Sequence, residues 1–395
     1  MGSPLEGIRV LELSRTLAGP FCSMQLADMG AEVIKVEQPG IGDETRGYLP
    51  PEINGESCYF MSLNKNKKGM TLNLKTEEGQ RIIKQLVAES DVLIENFRNG
   101  TMEKLELGYE TLKEINPRLV YCAVSGFGRT GPMKDEPAYD LLLQGFGGLM
   151  SVTGEPGRTP VKVGFSVVDL STGLYAALGV VLALLTRERT GKGQYVEASL
   201  LDSVVSFSNY LGQGVLATNK APGRFGSAHP TVVPYQAFET QDGYMIIAVP
   251  NDLLWRKMCD ALGFEQLKDD PKFAKNSSRV ANREELIAIL TAYTKGKKSS
   301  EIMELLQRAG VPSGPIHDLA QTLSHPQVQA REMIQEVEHP TIGMLKMLGV
   351  PVKLSDTPGS VRKAPPLLGE DTVEVLSTLG YRSEEIATFK EKGII

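Results

Sequence analysis

Short apolar runs alternate with amphipathic stretches along the first 130 residues of the chain. The apolar runs predict strands at 8–13, 31–37, 70–74, 91–96 and 119–125. The amphipathic stretches predict helices at 21–29 and 77–89. Strands and helices that alternate in this way form βαβ units around a mainly parallel sheet, so the pattern predicts an α/β fold. Because ligands of such sheets bind outside the carboxyl ends of the strands, we expect a site in the loops at 14–20, 38–48, 96–104 and 125–140.

A second pattern begins near residue 221. Predicted strands at 232–238 and 244–249 flank Thr240-Gln-Asp-Gly243, a sequence typical of a hairpin turn. Helical patterns follow at about 252–262, 283–294 and 300–309. We therefore predict a smaller α+β domain over residues 221–330, which is an ordinary domain size. Beyond residue 330 the pattern predicts short strands and then two helices after Pro366.

The longest apolar run, from Leu174 to Leu185, directly follows a segment with one carboxylate, Asp169. A bilayer needs about 20 residues, so this run predicts a buried helix and no membrane span. One interpretation of Asp169 is a helix N-terminal carboxylate that stabilises the helix by about 0.5–2 kcal/mol. The other is a nucleophile for an activated acyl carbon, with its ionised form favoured by the helix dipole. The residues alone favour the first interpretation.

Charge and composition narrow the class of protein. The chain has 42 basic and 48 acidic residues, and a net charge of −6 argues against a nucleic-acid partner. The four cysteines form no CxxC motif, and the four histidines show no metal-ligand spacing. No secretory signal is recognisable at the start of the chain. We expect a reduced, cytoplasmic protein without a bound metal.

Three motifs allow other interpretations. Glu37 ends the second predicted strand, where dinucleotide-binding proteins keep an acidic residue. Because the turn Ser14–Pro20 lacks the GxGxxG motif of those proteins, a structural role for Glu37 is favoured. The cluster Asn64-Lys-Asn-Lys-Lys-Gly69 is either a solvated turn or part of a phosphate-attracting patch with Lys75 and Lys104. The cluster alone favours the turn. A serine hydrolase is not favoured because the chain has no GxSxG elbow.

Together, a set of motifs resembles the class III CoA-transferases, the CaiB/BaiF type, over essentially the whole chain. The set comprises the opening Pro4–Leu13, Leu17-Ala-Gly-Pro20, Gly30–Glu37, Gly42-Asp-Glu-Thr-Arg46, Asn64–Lys68, Glu95-Asn-Phe97, Gly126-Phe-Gly128, Tyr139-Asp140, the Asp169 loop, Thr190–Gln194 and Pro365-Pro-Leu-Leu-Gly369. The resemblance implies a Rossmann-like large domain built from residues 1–220 and a return segment at 331–395, and an interlocked homodimer.

The resemblance also implies the chemistry. An aspartate matching Asp169 attacks an acyl-CoA thioester, CoA then forms an aspartyl thioester, and an acceptor acid reverses these steps. By position, the resemblance assigns coenzyme A contacts to Leu17, Ala18, Gln38, Leu72, Asn73, Leu74, Lys75, Asn96, Phe97, Arg98, Lys104, Pro137, Ala138, Tyr139 and Asp140. Gln38 and Pro137 stand where formyl-CoA transferase has basic residues, and Lys75 or Arg98 is expected to compensate.

Two relatives of this chemistry remain as alternatives. An α-methylacyl-CoA racemase has the same fold but needs a histidine where this chain has Tyr139, and a tyrosine is a poor base near neutral pH. A non-catalytic CoA-binding protein would not need an intact Asp169 loop. The segments 224–229 and 233–238 resemble the succinate–hydroxymethylglutarate branch. We therefore expect succinyl-CoA as donor and a small, dicarboxylic acceptor, with Arg15, Arg46 or His229 as the clamp on its distal carboxylate.

Overall fold

The computed structural model describes residues 2–395, which divide into two compact units. One unit comprises the chain up to Leu149 together with Val163–Asn219 and Pro326–Ile395. The other comprises Met150–Lys162 and Lys220–His325. The second unit thus includes a short segment, 150–162, that the sequence did not separate from the first region.

The strands are β1 Arg9–Glu12, β2 Glu32–Glu37, β3 Glu52–Ile53, β4 Glu56–Ser57, β5 Lys67–Thr71, β6 Val92–Glu95, β7 Val120–Ser125, β8 Tyr195–Ser199, β9 Tyr235–Thr240, β10 Gly243–Ala248, β11 Ser313–Pro315, β12 Ile334–His339 and β13 Gly343–Leu348. The helices up to residue 218 are α1 Ala18–Asp28, α2 Cys58–Asn64, α3 Glu77–Ala88, α4 Thr101–Lys104, α5 Tyr109–Ile115, α6 Asp140–Phe146, α7 Leu149–Val152, α8 Val167–Thr190, α9 Leu200–Phe207 and α10 Asn209–Thr218, with a 3₁₀ turn at Glu44–Gly47. The remaining helices are α11 Asp252–Leu262, α12 Glu265–Lys268, α13 Asn276–Ala281, α14 Arg283–Lys295, α15 Ser299–Arg308, α16 Leu319–Ser324, α17 Pro326–Ala330, α18 Thr372–Thr378 and α19 Ser383–Glu391.

A six-stranded sheet in the order β5-β2-β1-β6-β7-β8 forms the centre of the first unit, and every neighbouring pair is parallel. The prediction of an α/β fold with a parallel sheet is confirmed. Alternate residues of each strand face opposite sides, so Val10 packs with α1, α8 and α9, whereas Leu11 packs with α3, α5 and the C-terminal helices. The last residues of the chain therefore complete one core layer of this unit.

Two strands of the six-stranded sheet differ from the sequence prediction. The third predicted strand, at 70–74, lies instead at Lys67–Thr71, inside the lysine cluster. The sixth strand, Tyr195–Ser199, was not predicted, because its charged and polar residues give no continuous apolar run. It adds a parallel edge beside β7.

The apolar run predicted as a buried helix lies within α8, which has 24 residues. α8 is the one described helix that is long and apolar enough to cross a membrane, and half of its most apolar stretch is buried within the protein. Gly173 allows its close approach to α1, since a Cβ there would lie 2.7 Å from the carbonyl oxygen of Ala18. The start of α8 is therefore fixed against the start of α1.

The second unit has a three-stranded antiparallel sheet in the order β11-β10-β9. The predicted hairpin is confirmed, with Thr240 paired to Gly243 across the turn. Its core joins the sheet to α11, α14 and α15 through residues such as Phe238, Trp255 and Leu286. The helices predicted at 252–262, 283–294 and 300–309 are present within one residue at each end.

Candidate active site

The carboxyl ends of β1 and β6 meet at the point where the strand order reverses direction along the chain. β2 and β5 lie on one side of β1, while β6 and β7 lie on the other. The loops after β1 and β6 diverge at such a position and leave a crevice, which is where ligands of open parallel sheets bind. The residues following these two strands, from Leu13 and from Asn96 onwards, line the cavities described below.

Asp169 is the third residue of α8, and α8 begins beside this crevice. Its side chain lines a cavity of about 190 Å³, and among residues 2–395 no group donates a hydrogen bond to its carboxylate. The start of α8 is held by Asp140, whose Oδ1 accepts from the backbone N–H groups of Val168 (2.9 Å) and Asp169 (3.3 Å). Gln144 donates to the other oxygen of Asp140 at 2.6 Å, so the Asp140 carboxylate is fixed in turn.

The surroundings of Asp169 favour its neutral form. Burial, and then the negative charge of Asp140, raise the pKa of Asp169 to about 7 from 3.8. Both effects oppose the ionised form, which the dipole of α8 favours. A poorly solvated carboxylate without hydrogen-bond donors is a stronger nucleophile once ionised than one that is bonded or hydrated.

Most of the residues assigned to coenzyme A by resemblance line two cavities that share Arg15 and Phe97. The cavity at Asp169 is lined by Leu17, Ala18, Asn96, Phe97, Arg98, Pro137, Ala138 and Tyr139. The second, of about 200 Å³, is lined by Gln38, Leu72, Asn73, Leu74, Lys75 and Phe97. The structure therefore brings these residues together at one edge of the sheet, although they come from five separate loops.

Two of the assigned residues lie elsewhere. Lys104 ends α4 with an exposed side chain and lines neither of these two cavities. Asp140 also lines neither cavity, and its carboxylate is engaged with the start of α8. Asp140 therefore positions Asp169 through the backbone at the start of α8.

The three residues expected to clamp a distal carboxylate have different surroundings. Arg15 lines both cavities, is half-exposed, and pairs with Glu44 at 3.2 Å. Arg46 instead forms a two-point contact with the buried Glu37, at 2.8 Å for each bond, and covers the ring of Phe60. Its guanidinium is thus occupied, and Arg46 has a structural role in place of the expected substrate contact.

His229 belongs to the second unit. There its Nδ1 accepts from the N–H of Thr231 at 3.2 Å, and its ring packs edge-on against Tyr235. Its assignment to the substrate stays a prediction.

Both interpretations of the lysine cluster at 64–69 are wrong. Lys67 is fully buried and pairs with Glu12 at 2.9 Å, while Lys65 is 3% exposed and pairs with Asp28 at 3.0 Å. Lys68 pairs with Glu32 and Glu374. The cluster is neither a solvated turn nor a phosphate patch, because β5 begins inside it and all three ammonium groups are paired with carboxylates of the protein.

The sequence analysis did not predict two basic residues that line the Asp169 cavity, Arg129 and Lys134. Arg129 follows the Gly126-Phe-Gly128 motif and pairs with Glu95 at 2.6 Å. Burial raises the pKa of Glu95 to about 7 against the opposing effect of Arg129. Lys134 lies on the exposed loop before Pro137 and has no ion-pair partner among the described residues. The sequence could have indicated Arg129, because it is a basic residue in the loop that follows the strand predicted at 119–125.

The described residues contain no group of three His, Cys, Asp or Glu side chains that could hold a metal ion.

Comparisons with known proteins agree with this geometry. Residues 5–372 match the family described as CoA-transferase family III. The chain is 42% identical to succinyl-CoA:glutarate CoA-transferase of Mus musculus, over 99% of this chain and 90% of that protein. It is 37% identical to succinyl-CoA–D-citramalate CoA-transferase of Chloroflexus aurantiacus, over 99% of this chain and 98% of that protein. A CaiB/BaiF family protein from Brucella suis, known from its crystal structure, has 41% identity and a TM-score of 0.85, covering 96% of this chain and 100% of that one. The chain belongs to CoA-transferase family III and is a CoA-transferase.

Proposed function

We propose that this enzyme moves coenzyme A from succinyl-CoA to a dicarboxylic acid through an acylated Asp169. The observation that carries the proposal is the position of Asp169, a carboxylate without a hydrogen-bond donor, in the cavity that also holds most of the residues assigned to coenzyme A. The two relatives named above use succinyl-CoA and a dicarboxylic acceptor, which supports the same substrate class here.

The reaction needs no outside energy source, because each intermediate is an activated acyl group. One oxygen of ionised Asp169 attacks the thioester carbon, the C–S bond breaks, and a mixed anhydride and CoA thiolate result. The thiolate then attacks the Asp169 carbonyl carbon, which gives an aspartyl thioester and frees the donor acid. The acceptor carboxylate attacks this thioester, and the returning thiolate forms the new acyl-CoA and regenerates Asp169.

The start of α1 is suited to stabilise the charge that develops on the attacked carbonyl oxygen. Leu17 precedes α1 without a capping side chain, and Ala18 lines the Asp169 cavity. The first N–H groups of an uncapped helix carry a partial positive charge toward an anion at this end. We assign to them the role of oxyanion donors.

Arg15 is our assignment for the distal carboxylate of the acceptor. It is the one of the three candidate clamps whose side chain lines the Asp169 cavity and remains half-exposed. A substrate carboxylate can replace Glu44 as its partner, since both offer the two oxygens that a guanidinium binds. His229 remains a second assignment from the other unit.

Cations without protein partners supply the missing phosphate contacts in this proposal. Lys75 lines the second cavity, and Arg98 and Lys134 line the first. None of the three side chains forms an ion pair with any residue of 2–395, so their charge is available to a polyanion. They take the place of the basic residues absent at Gln38 and Pro137.

A homodimer in the cytoplasm completes the proposal. Large apolar side chains of the first unit are exposed along α8, α9 and α10, namely Leu174, Leu178, Leu182, Leu185, Val205, Phe207, Tyr210 and Leu216. Exposed apolar surface of this extent is typical of a contact between proteins. Sedimentation of the purified protein at micromolar concentration tests this, with a dimer expected and a monomer contradicting it.

The function is tested by incubating the enzyme with succinyl-CoA and a panel of acids, and by identifying new CoA thioesters by mass. Glutarate and other dicarboxylic acids are expected to accept CoA, and monocarboxylic acids of equal length to do so poorly. Asp169→Asn should abolish transfer, whereas Asp202→Asn should not, although Asp202 also stands third in its helix. Hydroxylamine added during turnover should modify Asp169, and transfer by the Asp169→Asn enzyme would refute the mechanism.

A further inference from the structure

The turn between β1 and α1, residues Ser14–Leu17, has an unusual backbone and lies at the reacting centre. We call it the pocket turn. It lines the Asp169 cavity through Arg15, Thr16 and Leu17. Thr16 has a φ of 70°, in the left-handed region that residues other than glycine seldom adopt. A β-branched residue remains in this conformation only where neighbouring groups hold it there.

Three side chains from three different parts of the chain hold three successive residues of the pocket turn. Lys35 donates from Nζ to the carbonyl oxygen of Ser14 at 3.0 Å. Asn96 accepts from the N–H of Arg15 at 2.9 Å and donates to its carbonyl oxygen at 2.7 Å. Asp43 accepts from the N–H of Thr16, at 3.2 Å and 3.3 Å from its two oxygens.

Two of these contacts come from a buried cluster of four charges, Glu12, Lys35, Asp43 and Lys67. Each of the four residues is at most 2% exposed. Lys35 lies 2.9 Å from Asp43 and 3.2 Å from Glu12, and Lys67 lies 2.9 Å from Glu12. The cluster contains two positive and two negative groups, so none can leave without exposing an unpaired buried charge. The balance of charge among the four buried groups therefore holds their side chains in place.

The same cluster also reaches the first two turns of α1. Lys67 donates to the carbonyl oxygen of Pro20 at 2.9 Å, and Glu12 accepts from the hydroxyl of Ser23 at 2.7 Å. The pocket turn is thus anchored on its β1 side and on its α1 side by one set of charges beneath it. Asp43 itself is fixed by the N–H and hydroxyl of Thr45, at 3.0 Å and 2.8 Å.

We propose that Asp43 and Asn96 are positioning residues for the reaction at Asp169. They hold the pocket turn, with Thr16 in its left-handed conformation, so that Arg15 and the start of α1 face the cavity before substrate binds. The inference rests on the proposed CoA transfer. Both polar atoms of the Asn96 amide engage the backbone of Arg15, so we assign to its side chain the role of holding the turn.

Asp43→Asn and Asn96→Ala test the proposal in the full-length enzyme. Each is expected to lower kcat by roughly ten- to hundred-fold, because a displaced catalytic surface loses its alignment. The matched control is Asp371→Asn. Asp371 is also buried, pairs with Lys363 at 2.6 Å and accepts from the N–H of Gly69 at 2.7 Å, but lies away from both cavities. The Asp371→Asn variant should have a lower unfolding temperature than wild type and a kcat within two-fold of it.

Combination with Thr16→Gly separates positioning from a general loss of stability. Glycine adopts a φ of 70° freely, so the turn then needs Asp43 less. The factor by which Asp43→Asn lowers kcat should shrink at least three-fold in the Thr16→Gly background. An equal factor in both backgrounds, or a kcat of Asp43→Asn within two-fold of wild type, would overturn the proposal.

Two further readouts keep the test decisive. If Asp43→Asn does not fold, Asn96→Ala decides, since Asn96 touches no member of the buried cluster. In that case an unchanged kcat overturns the proposal. If wild type transfers CoA to no acid, the proposed function fails, but amide hydrogen exchange still tests the turn. Exchange in residues 13–18 should be at least ten-fold faster in Asn96→Ala than in wild type, and equal rates would refute the positioning role.

Discussion

The raised pKa of Asp169 predicts that removing its charge stabilises the protein while destroying activity. In the unfolded chain this carboxyl loses its proton near its ordinary pKa of 3.8, and in the folded protein near 7. Between these values the folded state binds more protons than the unfolded state. Stability therefore falls as the pH rises through this window, and the whole penalty is present above pH 7. An asparagine side chain does not titrate, so the Asp169→Asn protein should escape the penalty.

The size of the effect follows from the same two values. A change from 3.8 to about 7 corresponds to about 4 kcal/mol against the ionised form. The carboxylate is partly exposed at the cavity, so solvent screening reduces the effect to about 2 kcal/mol. From pH 5 to pH 8 the stability of Asp169→Asn relative to wild type should grow by about 1–2 kcal/mol.

The assay is urea unfolding of wild type and Asp169→Asn at pH 5, 6, 7 and 8. Asp202→Asn is the control, because Asp202 occupies the same third position of a helix but is exposed. There the carboxylate complements the helix dipole, so its loss should destabilise by about 0.3–1 kcal/mol. A variant at Asp169 that is less stable than wild type at pH 8, or a difference that does not change with pH, would refute the reasoning.

Three other predictions concern residues around this site. Asp140→Asn should move the acid limb of the pH profile of kcat/KM to lower pH, because the charge of Asp140 helps to raise the pKa of Asp169. An acid limb at the wild-type pH would contradict this. Arg46→Ala leaves a buried carboxylate of β2 unpaired and should lower the free energy of unfolding by about 3 kcal/mol, measured by urea unfolding, without changing the preference among acceptor acids. Gly173→Ala places a Cβ 2.7 Å from a carbonyl oxygen at the start of α1, so it should cost about 1–3 kcal/mol of stability and lower kcat. Wild-type stability and kcat would show instead that α1 and α8 can separate.

The sequence predicted the parallel sheet well because its strands are continuous apolar runs between amphipathic helices. β8 escaped prediction since only Ala198 and Ser199 of its five residues are buried. β5 was displaced because its first residues are lysines, which ordinarily mark a turn. In both cases the tertiary surroundings override the local pattern, through partners that are distant in sequence.

In the candidate site, the position of Asp169 was predictable from the sequence, and the contacts around it were less so. Asp169 stands out as a lone carboxylate at the start of an apolar helix. Arg46 and Lys67 share residue types with ligand-binding cations, and only the positions of Glu37 and Glu12 show that both are already paired. The role of Asp140 depends on the distance between two segments 28 residues apart, which no local pattern specifies.

The way an acidic protein can bind a polyanion follows from which of its cations are already neutralised. The net charge of −6 and the lysine cluster at 64–69 give no guide to the ligand, since the cluster faces internal carboxylates. The buried Lys67 nevertheless serves the site, because together with Lys35 it anchors the pocket turn and the start of α1 beside Asp169. We propose that attraction of the ligand falls to the cavity cations that no carboxylate of the described chain engages, Arg98, Lys134 and Lys75. In this proposal the affinity for CoA should fall as salt is raised, and it should do so less in variants that lack Lys75, Arg98 or Lys134.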